Sequence, residues 1–403
     1  MARILIVGGS LGGLFAAAIL LREGHDVLVL EKAVGSLDGR GAGIVTHAPL
    51  IAGLRRAGAV IDDTLGVQVA LRVLLERDGS VAATLAMPQL LTSWSRLYQL
   101  LRDTLPAKNG LHGVTVNSVS ETRDGVMVQT TDGTRFYGDM LVASDGLRSV
   151  VRAQLVPTVQ PVYAGYIAWR GVCDEAVLSS PTRESAFSCF AFGLPAGEQI
   201  LGYPVAGTGN TTVPGKRRFN FVWYRAASES TELVTLMTDA DGKFYPLGIP
   251  PHKVASHHIA AMREAARRLL APQFVEILEK TAQPFMQPIF DVSSERIAFG
   301  RMALMGDAAF VARPHVGMGV TKAAQDAMAL ADCVASHGAG AAAVTAYEHI
   351  RLQAGQAIVQ RGRDLGAYMQ AQQQHAFVAD STVTRNDAAV LRETAIDPHA
   401  ALI

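Results

Sequence analysis

MARILIVGGSLGGLFAAAILLREGHDVLVLE, residues 1–31, decides the fold. RILIV at 3–7 is a short, β-branched apolar run and reads as a buried strand. GGSLGG follows at 8–13, and LFAAAILLR then carries helix formers up to Gly24, a C-cap position. HDVLVL, His25 to Leu30, is a second strand with Glu31 at its end. Strand, glycine turn, helix and strand in this order make one βαβ unit of a parallel sheet. In such a unit Gly8 permits a tight turn, and the helix that opens at Ser10 and Leu11 presents free N–H groups and a positive dipole end to a pyrophosphate. Gly13 permits close packing of helix on strand. Glu31, eighteen residues past Gly13, is placed to accept hydrogen bonds from a ribose, with Lys32 beside it. Ser10 replaces the middle glycine of the usual GxGxxG pattern. A dinucleotide site outweighs a purely structural glycine turn, but the motif does not say which dinucleotide.

The rest of the chain bounds the function. Its 403 residues, 42.8 kDa, allow roughly two to three domains. Lys plus Arg and Asp plus Glu each number 36, and charged residues are only 18%. That leaves no basic excess to neutralise phosphates, so a nucleic-acid partner is not expected. At 49% hydrophobic, the chain has ample apolar surface to offset ordering entropy. Cys173, Cys189 and Cys333 form neither a disulfide framework nor a CxxC pair and read as small core residues in a reducing compartment. The eleven histidines lack HxH or HxxxH spacing, so no metal is expected. No stretch reaches the ~18 apolar residues of a membrane span, and the first strand runs directly into glycines unlike a signal peptide. A cytoplasmic protein without a membrane partner is the expectation.

Further along, VTVNSVSETRDGVMVQTTDGTRF predicts antiparallel hairpins joined at Arg-Asp-Gly, and DMLVASDG a buried strand ending in a turn. Residues 161–225 are rich in aromatics and alternating pieces, YAGYIAWRGV, ILGYPVAG and FNFVWYR, and predict an antiparallel sheet inserted as a second domain. Residues 254–282 have a helical pattern. From Val320 the chain is helical to about Ala335 and again from about Ala341 to Gln374, and the last ~25 residues read as a loosely attached tail.

Two more motifs follow strands. Ala143-Ser144-Asp145-Gly146 leads into LRSVVR; Gly306-Asp307-Ala308-Ala309-Phe310 leads to Arg313-Pro314-His315-Val316-Gly317-Met318-Gly319 and a helix. Each alone is most often a turn. Together with the N-terminal fingerprint they resemble, over about residues 1–370, the single-component FAD-dependent aromatic monooxygenases typified by para-hydroxybenzoate hydroxylase.

That resemblance implies an α/β fold: a Rossmann-like FAD-binding domain with an inserted antiparallel-sheet substrate domain and C-terminal helices. The expected division is 1–70, 96–160 and 285–335 for FAD, 71–95 and 161–284 for substrate, and 336–403 as a helical region and tail. It implies noncovalent FAD, NADH or NADPH as a transient co-substrate, and molecular oxygen. Gly8, Ser10, Leu11, Gly13, Glu31 and Lys32 would hold the pyrophosphate and ribose. Arg40 and Gly41 would lie near the flavin, and Arg96, in SRLYQLL, would touch the FAD backbone. Asp145 matches the DG motif and Asp307 the aspartate that bonds the ribityl chain. Pro314, Gly317, Met318, Gly319 and Val320 match the loop beside the isoalloxazine. Phe310 and Thr321 depart from the His and Asn of many relatives.

The implied reaction is hydroxylation of a small, electron-rich aromatic or N-heteroaromatic such as 2,6-dihydroxypyridine through a flavin C4a-hydroperoxide, in a site that excludes water and helps ionise a ring hydroxyl. His315, Pro314 and His47 are the catalytic candidates, and Tyr203, Trp223, Arg225 and His315 the substrate contacts, each weighed against packing. The alternatives are a flavin-dependent dehydrogenase or reductase on the same scaffold and a flavin-binding sensor. The oligomeric state stays open, with a homodimer as the candidate.

Overall fold

The computed structural model describes residues 1–37, 43–371 and 387–397, with side chains excluded at 368–371. The candidates Arg40 and Gly41 lie outside the described residues.

The strand Arg3–Val7 sits at the centre of a six-stranded sheet. It pairs in parallel with Asp26–Glu31 on one side and Met140–Ala143 on the other. Gly110–His112 and Met302–Leu304 extend the parallel order, and Ala298–Phe299 closes one edge antiparallel. Strands buried on both faces read as continuous apolar runs, which is why RILIV and MLVA lack alternation. The helices Leu11–Arg22 and Gly319–His337 pack on this sheet and share its core through Phe15, Leu20, Ala324 and Leu330. Val116–Glu121, Val126–Thr130 and Arg135–Gly138 form the expected three-stranded meander.

A second sheet has nine strands. Its centre is antiparallel: Val162–Asp174 pairs with Arg218–Ala226 and Phe285–Ser293, and Arg218–Ala226 with Gln199–Val205. The long hairpin Val67–Leu75 and Val81–Ser93 joins at the far side, where Val67–Leu75 pairs parallel with Cys189–Gly193. Gly43–Val45 and Phe310–Val311 occupy its two ends, so both edges belong to segments that begin or end in the dinucleotide-binding half.

This sheet has two different faces. Trp169, Phe219, Phe221 and Trp223 pack under Ser256–Leu269 and Pro272–Lys280. Tyr166, Phe190, Val222 and Tyr224 form a separate cluster on the face turned to the first domain. All three cysteines are free and buried, and desolvation pushes the Cys173 and Cys189 thiols up to about 12. The tail expectation needs correction. Asp387–Glu393 is a helix whose Val390 and Leu391 are buried in the inner-face cluster, because its apolar side finds the hole beside Val69 and Leu74.

Candidate functional site

A long cleft runs along the C-terminal ends of the parallel strands, where ligands bind open α/β sheets. It consists of cavities of about 460 and 340 Å³ that share Ser10, Trp94, Ser144 and Gly146.

The smaller cavity lies over the glycine turn. Gly8 has φ +102, and a Cβ there would come within 2.4 Å of the Ser144 carbonyl oxygen. A Cβ on Gly13 would come within 1.9 Å of the Gly8 oxygen, so any side chain would lift the helix off the turn. Ser10 caps the helix with extended backbone but makes no side-chain cap bond, leaving its hydroxyl toward both cavities. Glu31 braces the turn itself. Its Oε2 accepts the Gly9 N–H at 2.7 Å and its Oε1 the Ala33 N–H at 2.8 Å. A carboxylate has about four acceptor sites, so both oxygens retain capacity for ligand hydroxyls. Lys32 lines this cavity. Asp145 lines it too: Oδ2 accepts the Val150 N–H at 2.8 Å, while Oδ1 is buried without a partner among the described residues.

The larger cavity brings Leu11, Asp307, Pro314 and the run Gly317–Val320 against the second sheet. Asp307 lines this cavity and is exposed within it. Desolvation raises its carboxyl above the ordinary range; the Lys322 cation opposes, Asp326 reinforces, and Arg152 opposes.

Two buried ion-rich clusters hold the motifs together, and neither was signalled by spacing. Arg152 donates to the Leu147 carbonyl at 2.6 Å and the Ala308 carbonyl at 2.9 Å, tying the DG turn to the GD turn. Asp326 accepts the Gly306 N–H at 3.1 Å and Arg351 at 2.7 Å, with Lys322 at 3.5 Å.

Several expected residues are elsewhere. His315 is fully buried and lines neither cavity. Its ring packs tilted against Tyr224, centroids 4.1 Å apart, and its Nε2 meets the Tyr166 hydroxyl at 3.0 Å. His47 also lines neither cavity. Its Nε2 lies 3.3 Å from the Ala395 carbonyl, an acceptor only, so Nε2 carries the proton and Nδ1 accepts from the Thr321 hydroxyl at 3.0 Å. Thr321, the departure from Asn, is therefore engaged.

Trp223 and Arg225 are on the wrong face of Arg218–Ala226. Residues alternate along a strand, and Asn220, Val222 and Tyr224 take the inner face. Trp223 packs beneath the helices, with Arg225 stacked on it at 4.7 Å and paired to Glu198 at 2.9 Å. Arg96 donates to Asp62 at 3.1 Å and Thr64 at 2.6 Å, and lines neither cavity.

Tyr203 does line the larger cavity, edge-on to Phe190 at 4.7 Å. Burial drives its phenol far above the ordinary range, so it is a neutral hydroxyl at any physiological pH. Facing it are Arg170, whose Nη1 donates to Gln287 at 2.8 Å while its Nε is buried without a partner among the described residues, and Tyr224. WRGV gave no sign that this arginine would turn inward beside Tyr203.

The donor set fits FAD. The glycine turn, the helix N-terminus without a side-chain cap bond and the Asp145 oxygen without a partner among the described residues suit an ADP group, and the adjoining cavity lined by Asp307 has room for a ring.

Comparison with known proteins agrees. A family model described as FAD binding domain-like matches residues 163–291. The chain is 29% identical over 372 residues to 2,6-dihydroxypyridine 3-monooxygenase of Paenarthrobacter nicotinovorans, 91% of each chain. It is 26% identical over 359 residues to 6-hydroxynicotinate 3-monooxygenase of Pseudomonas fluorescens, 84% of this chain and 83% of the other. The solved structure of 2,6-dihydroxypyridine-3-hydroxylase from Arthrobacter nicotinovorans superposes with a TM-score of 0.86 at 27% identity, covering 95% of both chains. Fold, cleft and relatives agree: over nearly its whole length the chain is similar to FAD-dependent aromatic monooxygenases.

Proposed function

We propose that the protein hydroxylates a small, electron-rich N-heteroaromatic or phenol of the 2,6-dihydroxypyridine kind, using NADH or NADPH as a transient reductant and molecular oxygen. One observation supports the reading: the larger cavity is lined by Asp307 and Pro314 of the dinucleotide-binding half together with Arg170, Tyr203 and Tyr224 of the second sheet. Bound FAD supplies the activation of oxygen. The protein residues position the ring. The Arg170 guanidinium has a neutral partner, Gln287, and its Nε, without a partner among the described residues, suits an anionic ring oxygen. Tyr203 donates to a second oxygen or ring nitrogen. Holding the hydroxyl as its anion makes the ring a better nucleophile, and Phe190, Leu201 and Val222 keep water from it.

In the same reading, Gly8, Ser10, Gly13, Glu31, Lys32 and Asp145 hold the ADP half. Asp307, Pro314 and Gly317–Val320 hold the ribityl and ring half. The segments 1–70, 96–160 and 285–335 serve FAD, and 71–95 and 161–284 serve substrate. A cytoplasmic location, which supplies NAD(P)H and keeps the thiols reduced, and a homodimer complete the proposal. Among the described residues no helix is long and apolar enough to cross a membrane.

The test is NAD(P)H oxidation by the yellow, FAD-loaded protein with 2,6-dihydroxypyridine, 6-hydroxynicotinate and simple phenols. A substrate-stimulated rate with a product one oxygen atom heavier is expected. Oxidation that no aromatic accelerates, or that yields only hydrogen peroxide, would overturn the proposal.

A further inference from the structure

Arg72, on the strand Val67–Leu75, has no solvent exposure, and among the described residues it pairs with no carboxylate. Its Nη1 donates to the Leu391 and Thr394 carbonyls, each at 2.7 Å, and its Nε to Gln89 Oε1 at 2.8 Å. The guanidinium stacks over Phe190 at 5.0 Å, a ring that lines the larger cavity. Burial lowers its pKa to about 10, so it remains a cation at neutral pH. Leu391 and Thr394 sit at the C-terminal end of Asp387–Glu393, where carbonyls lack intrahelical partners and the dipole is negative. A buried cation is thus committed to the main chain of one short segment.

The same segment is fastened to the opposite wall. The Ala395 N–H donates to the His315 carbonyl at 2.8 Å, and the Ala395 carbonyl accepts from His47. Ala395 has φ +54, a state that a residue with a Cβ keeps only where its surroundings impose it. Gly317, at φ +62, faces it: a Cβ there would lie 2.6 Å from the Ala395 Cβ. Thr394 and Ala395 themselves form part of the cavity wall, next to Gly317 and Met318.

We propose that Arg72 is a positioning residue for the reaction: it clamps residues 390–397 across the seam between the substrate sheet and the flavin loop, making a fixed wall that excludes bulk water. This rests on the hydroxylase reading above. In the coupled reaction two electrons of NAD(P)H and one proton reduce O2, one oxygen atom enters the ring and the other leaves as water. With the wall released, the same NAD(P)H, proton and O2 yield hydrogen peroxide and an unchanged ring.

The test compares full-length, FAD-loaded Arg72→Met, which keeps the stem against Phe190 but loses every donor, with Arg72→Lys and the parent. Amide exchange over 390–397 should quicken at least tenfold in Arg72→Met, and trypsin should cut sooner after the exposed Arg392, with circular dichroism and FAD content unchanged. Iodide should quench flavin fluorescence more strongly, the peroxide share of consumed NAD(P)H should rise several-fold, and Arg72→Lys should fall between. Gly317→Ala, which pushes on Ala395 from the far side and leaves the cation in place, should quicken exchange over the same residues if Arg72→Met does not fold. Exchange and quenching need no substrate, so they judge the clamp even if the hydroxylase reading fails. Unchanged exchange over 390–397 in a folded variant overturns the clamp. Faster exchange with unchanged quenching and peroxide overturns the wall.

Discussion

Glu31→Ala should damage the protein even before FAD is added. The side chain is 8% exposed, and its two oxygens accept the Gly9 and Ala33 N–H groups at 2.7 and 2.8 Å. Hydrogen bonds to a charged group contribute about 1.5–3 kcal/mol each, and a buried donor left unmade costs ~1–3 kcal/mol. Two such bonds would suggest the sum of both, but Glu31 borders the smaller cavity, and water entering there can meet one freed N–H. The net loss should therefore be about 2–3 kcal/mol in the apoprotein. FAD affinity should fall by a further 10–100-fold, since the glycine turn is no longer braced and a ribose acceptor is gone; tenfold corresponds to ~1.4 kcal/mol. Glu31→Gln, with one acceptor left, should lie between. Urea unfolding of the apoprotein and flavin-fluorescence titration separate the two effects. Unchanged apoprotein stability in Glu31→Ala would refute the bracing argument, and unchanged FAD affinity would refute the cofactor assignment.

Asp307→Asn should stabilise the apoprotein at pH 7 while weakening FAD retention. The native carboxyl is raised by desolvation, so ionisation costs stability as pH rises through its range, and the gain should vanish below about pH 4, where the unfolded carboxyl is protonated as well. Urea midpoints that do not differ between variant and parent at any pH would refute this. His47, held below the ordinary histidine range chiefly by burial, against the opposing Ala395 bond and Asp397 charge and with Arg72 lowering it further, is neutral when folded. Its contribution should be complete above about pH 6.5 and lost as pH falls below that; urea midpoints from pH 7.5 to 5 should show a decline that His47→Gln flattens. Tyr203→Phe should raise the substrate KM up to about tenfold, the size of one hydrogen bond, whereas Trp223→Phe should leave KM alone. His315→Ala should cost about 2–4 kcal/mol of stability through a void beside Tyr166 and Tyr224, with product per NAD(P)H retained. A stable but uncoupled variant would restore the histidine to the reaction.

What could be read directly was local. RILIV, GGSLGG and Glu31 specify a strand, a turn and a helix start through backbone conformation and short-range periodicity, and the parallel sheet places them as expected. The DG and GD turns likewise stand at strand ends. The alternation in FNFVWYR was equally legible, but alternation divides residues into two sets without saying which set faces the ligand. Only the helices of 256–280, packed on the Trp223 side, decided that, leaving Asn220, Val222 and Tyr224 inside. His315 was placed correctly in its loop and misjudged in direction, because a side chain's aim depends on Tyr166 and Tyr224, residues brought from other strands. Arg170 turned inward for the same reason. The links that complete the site join distant parts of the chain: Arg152 to Ala308, Arg351 to Asp326, and Arg72 to Leu391 and Thr394. No window of sequence contains both partners of such a bond. Buried guanidinium groups find carbonyls and carboxylates only after the chain has folded around them, so tertiary structure alone decided how the cleft is closed.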